Sequence, residues 1–253
     1  LKSLQKTGLT EDAMEKAKYK NKMNFLRAGL AYADRVSTLS PTYATELNAN
    51  KEFKENWLPL LNKKPLAGIG HGIDLLHWNP KTDANNRAKY DAKEPANKDS
   101  AREALQKETG LSIRDTAMIA AFLGPLTEER GADAFIAAIP DLVAAGVQVI
   151  IATDMPTPLR KSADALMKKH PHDVHVRVGY DEEYLHHLMA GATVLVKPSR
   201  HEVSGHFQRI ALAYGTIPIV RAVGGIAEGL VDVDEAKGAG NAFIMKKTDA
   251  AEI

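Results

Sequence analysis

The chain has 253 residues, 44% hydrophobic and 26% charged, which is enough for one large soluble domain, or for one domain with a docked segment. Thirty-three basic and 32 acidic residues leave a formal charge of +1, so no global field recruits nucleic acid or anionic lipid. There are no cysteines, which excludes disulfides, thiolate nucleophiles and Cys-ligated zinc.

No apolar run approaches the ~18–20 residues that span a bilayer, so no transmembrane segment is expected. The sequence opens Leu1-Lys2-Ser3 without an initiator Met or an apolar leader, and either a processed terminus or part of a longer chain is expected. Basic residues thicken at Lys16–Lys22 and Lys161–Lys169, where interleaved acidic and apolar residues predict solvated helix faces.

In chain order, residues 1–32 read as helix, with Phe25, Leu26 and Leu30 on an apolar face. Val36–Leu39 is a short strand closed by Ser40-Pro41. Residues 42–64 give a helix and a loose segment around Trp57. Leu66–Ile69 is a second strand, ending in the turn Gly70-His71-Gly72, and residues 78–100 form a loop-rich connector. A helix over 101–109 stops at Gly110.

The pattern then becomes repeated strand–helix units. Strands at 117–123, 148–153, 174–178, 193–197 and 217–220 alternate with amphipathic helices at 131–145, 159–169, 181–190 and 204–214, before the turn Gly224-Gly225. Such alternation demands right-handed crossovers between parallel strands, hence an α/β fold with a doubly wound, Rossmann-like sheet.

Several segments carry a more specific signal. Phe25 to Val36, followed by Ser40-Pro41-Thr42-Tyr43-Ala44, resembles the "YAD…VSPTYA" stretch of starch and bacterial glycogen synthases. Gly72-Ile73-Asp74 with Trp78-Asn79-Pro80-Lys81-Thr82-Asp83 resembles their "NGID…WNPxTD", and Leu126 to Gly131 their "RLTxQKG". Val178 to Glu182, Ala190-Gly191-Ala192, Pro198 to Glu202, Tyr214 to Arg221, and Val223 to Ala227 with Val231-Asp232 match further motifs. All stand in family order across residues 24–245.

The resemblance implies a GT-B glycosyltransferase, with two Rossmann-like domains facing across a cleft. Residues 65–253 would be the C-terminal domain, which holds ADP- or UDP-glucose. Residues 1–64 would be a helical segment from the end of the N-terminal domain, which holds the α-glucan acceptor. Cytoplasm or plastid stroma are the compartments it implies.

Carried over position by position, the resemblance makes Arg130, Glu202, Gly205, Gln208, Gly224, Gly225 and His71 the nucleotide-sugar-binding candidates, with Glu202 as a vestigial catalytic candidate. Departing diphosphate carries negative charge, so fixed cations belong there. The family supplies an Arg and a Lys. Here Pro125 stands at the Arg position and Arg130 at the Lys position, which keeps charge but changes reach. His71 replaces an Asn, and a solvated turn histidine is the plainer reading. Ala152-Thr153-Asp154-Met155-Pro156 replaces a glycine-rich turn that would let ligand approach backbone.

Where the family reads "EPCGLTQ" at a phosphate-receiving helix start, this chain reads Glu202-Val203-Ser204-Gly205-His206-Phe207-Gln208. Ser204 is expected to cap that helix, and Glu202 to pair with Arg200 or cap it as well. The nine histidines show no metal-ligand spacing, and exposed or capping roles are expected. No metal and no cofactor are expected beyond a nucleotide sugar.

The departures fall on the donor site while the packing segments stay family-like. The expectation is therefore a catalytically degenerate homologue, serving as a structural or binding subunit of a larger assembly. The alternative is a working α-1,4-glucan glucosyltransferase, or a fragment of one. A protein partner would cover apolar surface along residues 14–32.

Overall fold

A computed structural model of the chain describes residues 8, 10–20, 22–61, 64–86, 88–154 and 157–253. The chain divides into two compact units, Leu1–Gly70 and His71–Ile253. Among the described residues no helix is long and apolar enough to cross a membrane.

The first unit contains α1 (Glu11–Lys16), an antiparallel pair of two-residue strands β1 (Lys18–Tyr19) and β2 (Lys22–Met23), and α2 (Phe25–Tyr32). The helix expected over residues 1–32 is therefore broken, and its first residues lie outside the described part. The break is written in local chemistry: Thr10 caps α1, the Asn24 side chain caps α2 by accepting from the Arg27 N–H, and Lys20 sits at φ +47°. Next come β3 (Val36–Thr38), α3 (Pro41–Ala49), α4 (Lys51–Asn56), a 3-10 turn at Leu58–Leu61 and β4 (Leu66–Gly68). Ser40 caps α3, with Pro41 at its first position.

Strand β4 pairs in parallel with β3, Val36 opposite Leu66 and Thr38 opposite Gly68. That pairing corrects the division expected at 64/65. Leu66–Gly68 belongs with the first unit, and the units part after Gly70.

The second unit begins with α5 (Asn97–Thr109), then β5 (Ile119–Leu123), α6 (Ala132–Ala144), β6 (Gln148–Thr153), α7 (Arg160–Lys169) and β7 (Val174–Val178). It continues with α8 (Glu182–Gly191), β8 (Val194–Lys197), α9 (His206–Ala213), β9 (Ile217–Arg221) and β10 (Phe243–Met245). The six strands are all parallel, in the order β10-β9-β8-β5-β6-β7. This is the doubly wound order, reversing between β5 and β8.

Alternation along the central strands feeds two cores. Ile119, Ala121 and Leu123 of β5 and Ile150 and Ala152 of β6 pack on one face with Leu105, Leu188 and Ile210. Ala120, Phe122, Val149 and Ile151 pack on the other with Phe135, Ile139 and Ala163. Both faces are covered, so β5 and β6 read as unbroken apolar runs. Each large side chain so buried contributes ~1.5–3 kcal/mol relative to its exposed state.

The connector before α5 is better packed than its composition suggests. Trp78, Asp83 and Tyr90 are all buried, and α5 starts at Asn97 rather than 101. Gly110 ends α5 in the left-handed conformation at φ +72°, as a stop glycine should. Lys98 stitches this region to the sheet. Its Nζ donates to the Ala190 carbonyl at 2.9 Å, the Tyr214 carbonyl at 3.1 Å, Thr216 Oγ1 at 2.9 Å and the Met189 carbonyl at 3.4 Å. Carbonyls at the ends of α8 and α9, which have no partner within their own helices, are capped this way. Enclosure of the ammonium, with Arg102 adding to it and Asp99 opposing, pushes its pKa down to about 7.

Candidate functional site

In an open parallel sheet the ligand crevice lies at the carboxyl ends of the strands, where the strand order reverses. Here that point is between β5 and β8. The chain leaves β5 through Gly124 (φ +126°) and the half-buried Pro125. A 3-10 turn at Glu128–Arg130 follows, with the Thr127 side chain accepting from the Arg130 N–H. Gly131 (φ +70°) then starts α6. A Cβ there would sit 2.1 Å from the Pro198 carbonyl oxygen, so the β5 and β8 exits touch backbone to backbone.

Two further latches hold these exits together. The Arg200 and His201 amides donate to the Glu129 carbonyl at 2.8 and 3.2 Å, and the Arg200 guanidinium grips Asp133 with bonds of 2.7 and 2.9 Å. Arg200 therefore serves the scaffold. It is not the partner of Glu202, which corrects that expectation.

The latched exits place Arg130 from the β5 side against Glu202 from the β8 side, Nη1 contacting Oε2. Lys197, the last residue of β8, approaches the same Oε2 at 3.5 Å. Lys197 is 6% and Glu202 8% exposed. Burial pushes the Glu202 carboxyl up, but Lys197 and Arg130 together outweigh it and hold the group below its ordinary range. Burial pushes the Lys197 ammonium down, and Arg130 adds to that, against the pull of Glu202. Two cations thus converge on one carboxylate. The Lys197 Nζ otherwise faces the Phe207 ring, 5.5 Å from its centroid.

Helix α9 opens beside this cluster. Its N-cap is Gly205 (φ +61°), with no side-chain cap, so Ser204 does not play the capping role expected of it. The reason is steric. A Cβ at 205 would meet Gln208 Nε2 at 2.3 Å and the Gly225 carbonyl carbon at 2.5 Å, and a Cβ at 225 would meet the Ser204 carbonyl at 2.4 Å. Backbone crosses backbone here, fixed by a 3.1 Å bond from Gln208 Nε2 to the Gly225 carbonyl and a 3.3 Å bond from the Gly225 N–H to the Glu202 carbonyl. Gly224 (φ +48°) begins the 3-10 turn that continues to Ala227.

His71 is exposed, with its ring 5.5 Å from that of His206, the first residue of α9. Burial, then the neighbouring His71 and Arg209, push His206 below its ordinary pKa. The predicted residues therefore fall in three touching groups: Arg130 with Glu202, Gly205 and Gln208 with Gly224 and Gly225, and His71 at the mouth of α9. Met155 and Pro156, in the turn expected to crowd a ligand, lie outside the described residues.

Lys197 was not singled out from the sequence. A signal was present: a lysine closing the apolar run Val194-Leu195-Val196 must be buried, and the Glu five residues on is its nearest counter-charge. A further correction concerns His186, expected to be exposed or capping. It is 1% exposed and hydrogen-bonds through Nδ1 to Asp83 and Tyr214.

With this geometry in place, comparison with known families is direct. Residues 105–253 match the family model described as glycosyl transferases group 1, and residues 2–63 match the starch synthase catalytic domain. The chain belongs to the group 1 glycosyltransferases. Within them it is 37% identical over 225 residues to a glycogen synthase of Anaeromyxobacter sp. (strain Fw109-5), covering 88% of this chain and 46% of the relative. It is 35% identical over 235 residues to a glycogen synthase of Rhodopseudomonas palustris, covering 92% and 49%.

Among solved structures, the catalytic domain of starch synthase IV from Arabidopsis thaliana, bound to ADP and acarbose, superposes with a TM-score of 0.78 at 29% identity. That match covers 89% of this chain and 47% of the other. Sucrose-phosphate synthase from Thermosynechococcus elongatus shares the fold, with a TM-score of 0.62 at 20% identity over 93% of this chain and 52% of that one. The chain spans about half the length of the curated relatives it matches. The His71–Ile253 unit is a Rossmann-like domain of the GT-B type, and the chain is glycogen- and starch-synthase-like.

Proposed function

We propose that the His71–Ile253 unit binds a nucleoside-diphosphate glucose at the switch point and that its glucosyl transfer is attenuated, the chain acting as a binding or structural subunit. The observation that carries this reading is the Lys197–Glu202–Arg130 cluster. Two fixed cations and an uncapped helix start lie side by side, which suits a diphosphate, and a buried carboxylate between them suits the hydroxyls of a sugar. Attenuation follows from Pro125, which offers neither charge nor donor at the β5 exit, and from Glu202 being already engaged by both cations. Losing one charge-stabilising donor typically costs ~2.7–4 kcal/mol in the transition state.

A second reading, a working ADP- or UDP-glucose α-1,4-glucan glucosyltransferase, is favoured by Lys197. This buried lysine brings a second cation to the cluster on a different strand. The two readings separate by experiment. Calorimetry should detect ADP or UDP and their glucose conjugates, with binding weakened by Arg130→Ala, and binding indifferent to that change would place the site elsewhere. Transfer of labelled glucose to glycogen well above a heat-killed control would sink attenuation. Pro125→Arg should raise transfer by up to ~100-fold if the lost charge limits it, and leave it unchanged if Lys197 already supplies that charge.

The subunit role is supported by α2, where Phe25 and Leu26 are each 64% and Tyr32 53% exposed. The size of the native particle from its source tests it. Migration as a free 27.5 kDa monomer would contradict the subunit role.

A further inference from the structure

A second cluster sits where the connector before α5 meets α8, and the proposed nucleotide-sugar site makes no use of it. His186 lies one turn after Glu182 on α8. Its ring is stacked on Trp78, with centroids 4.1 Å apart and planes at 14°. Nδ1 is 2.8 Å from Asp83 Oδ2 and 2.9 Å from Tyr214 Oη, and Tyr214 donates its own proton to Asp83 Oδ2 at 2.5 Å. With the phenol proton spent on Asp83, the imidazole places its proton on Nδ1 and donates to the same carboxylate. The lone pair is then left on Nε2.

That Nε2 is buried and has no hydrogen-bond partner among the described residues. It faces Glu182 Oε1 at 3.9 Å, beyond hydrogen-bonding distance. His77 Nε2, from the connector, contacts the same oxygen, and the His77 ring stands edge-on to His186 with centroids 5.0 Å apart. All three ligand atoms lie within 4.8 Å of one another. A buried lone pair, a carboxylate and a second imidazole therefore converge on one point.

We infer that His77, Glu182 and His186 form a binding site for a zinc-class divalent cation. Two imidazoles and one carboxylate are a ligand set that zinc takes with water in the fourth position, and two nitrogens disfavour magnesium and calcium. Bonds of ~2.0–2.1 Å in a tetrahedron set ligand atoms ~3.3 Å apart, so Glu182 Oε1 must close on His186 Nε2 from its present 3.9 Å. His77 and Glu182 must part by ~1 Å, and both are exposed enough to move. The Asp83–His186 bond is the outer support that metal-bound histidines ordinarily have, fixing tautomer and ring angle. The ion would clip the connector to α8, and this role is independent of nucleotide binding.

The test is a titration of the chelator-treated full chain with zinc by calorimetry, repeated with cobalt(II) for its visible spectrum. One ion per chain is expected, with affinity at least ~10-fold weaker in His77→Ala and in Glu182→Gln. Thermal midpoints should rise by ~5 °C or more at zinc about 100-fold above the dissociation constant, and His77→Ala should abolish that rise. Absence of a stoichiometric ion, or binding and thermal shift unchanged in His77→Ala, would overturn the assignment. Both variants alter exposed side chains, so folding of the variant does not confuse the result.

Discussion

Two lysines of the same sheet unit carry their ammonium groups out of water, and they are satisfied in opposite ways. Lys98 shares its three N–H donors among four oxygens, three carbonyls and one hydroxyl, and no carboxylate is among its hydrogen-bond partners. Lys197 at the switch point has one carboxylate oxygen at 3.5 Å, an aromatic face, and a guanidinium nearby. The first lysine has no donor capacity left and acts as a cap for helix ends. The second has donors to spare beside an uncapped helix start, which is how a protein keeps a place for an anion. Burial of a cation thus serves a structural device at Lys98 and, in the proposed function, a binding device at Lys197, and the count of its acceptors separates them.

The largest effect expected from breaking this contrast is at Glu202. Glu202→Ala leaves Lys197 buried with no counter-charge and Arg130 beside it, and should cost ~3–4 kcal/mol in chemical denaturation. Because the Glu202 pKa is depressed in the folded state, its contribution is present above the ordinary carboxylate range and is lost as pH falls through the lower folded value. The gap between the stability curves of wild type and Glu202→Ala should therefore narrow as pH falls into the acid range.

Gly205→Ala should follow at ~2–3 kcal/mol, since it forces a left-handed backbone onto alanine and drives Cβ into the Gly225 backbone, 2.5 Å away. Thermal unfolding checks this, and a cost below ~1 kcal/mol would mean that the crossing of α9 and the Gly224–Gly225 turn is slack. Lys98→Met should cost at most ~1 kcal/mol at pH 7, because the Tyr214 and Met189 carbonyls keep the Tyr90 and Thr216 hydroxyls as donors.

The pH dependence at Lys98 has a definite sign. Its folded pKa of about 7 lies below its ordinary 10.5, so between those values the unfolded chain binds more protons and stability rises with pH. Lys98→Met should remove that rise from a stability-versus-pH series, and an unchanged slope would contradict the assignment.

Much of the sheet was legible before any coordinates, because a strand buried on both faces writes itself as an unbroken apolar run. Ile119–Leu123 and the Val149–Ala152 run of β6 have that signature, and Gly110 announces the end of α5. The hairpin Lys18–Met23 was not legible, since its residues are good helix formers and only Lys20 and the two flanking caps oppose a helix. Nor was β10, three residues long at the sheet edge with Phe243 45% exposed. In the site, Arg130, Glu202, Gly205 and Gly225 came from motif resemblance. Lys197 had a local signal, the lysine that closes an apolar strand, whereas its meeting with Arg130 and the His77–Glu182–His186 cluster required the fold, because those partners meet only once strand order and the connector's path are known.

The central claim is that the switch-point cations receive a nucleoside diphosphate and the enclosed Lys98 does not, and titration of ADP into Lys197→Met by calorimetry tests it most directly. Removing one charged donor should weaken ADP at least ~10-fold, about 1.4 kcal/mol, while adenosine, which lacks phosphates, should bind wild type and variant alike. Equal ADP affinity in wild type and Lys197→Met would contradict the claim.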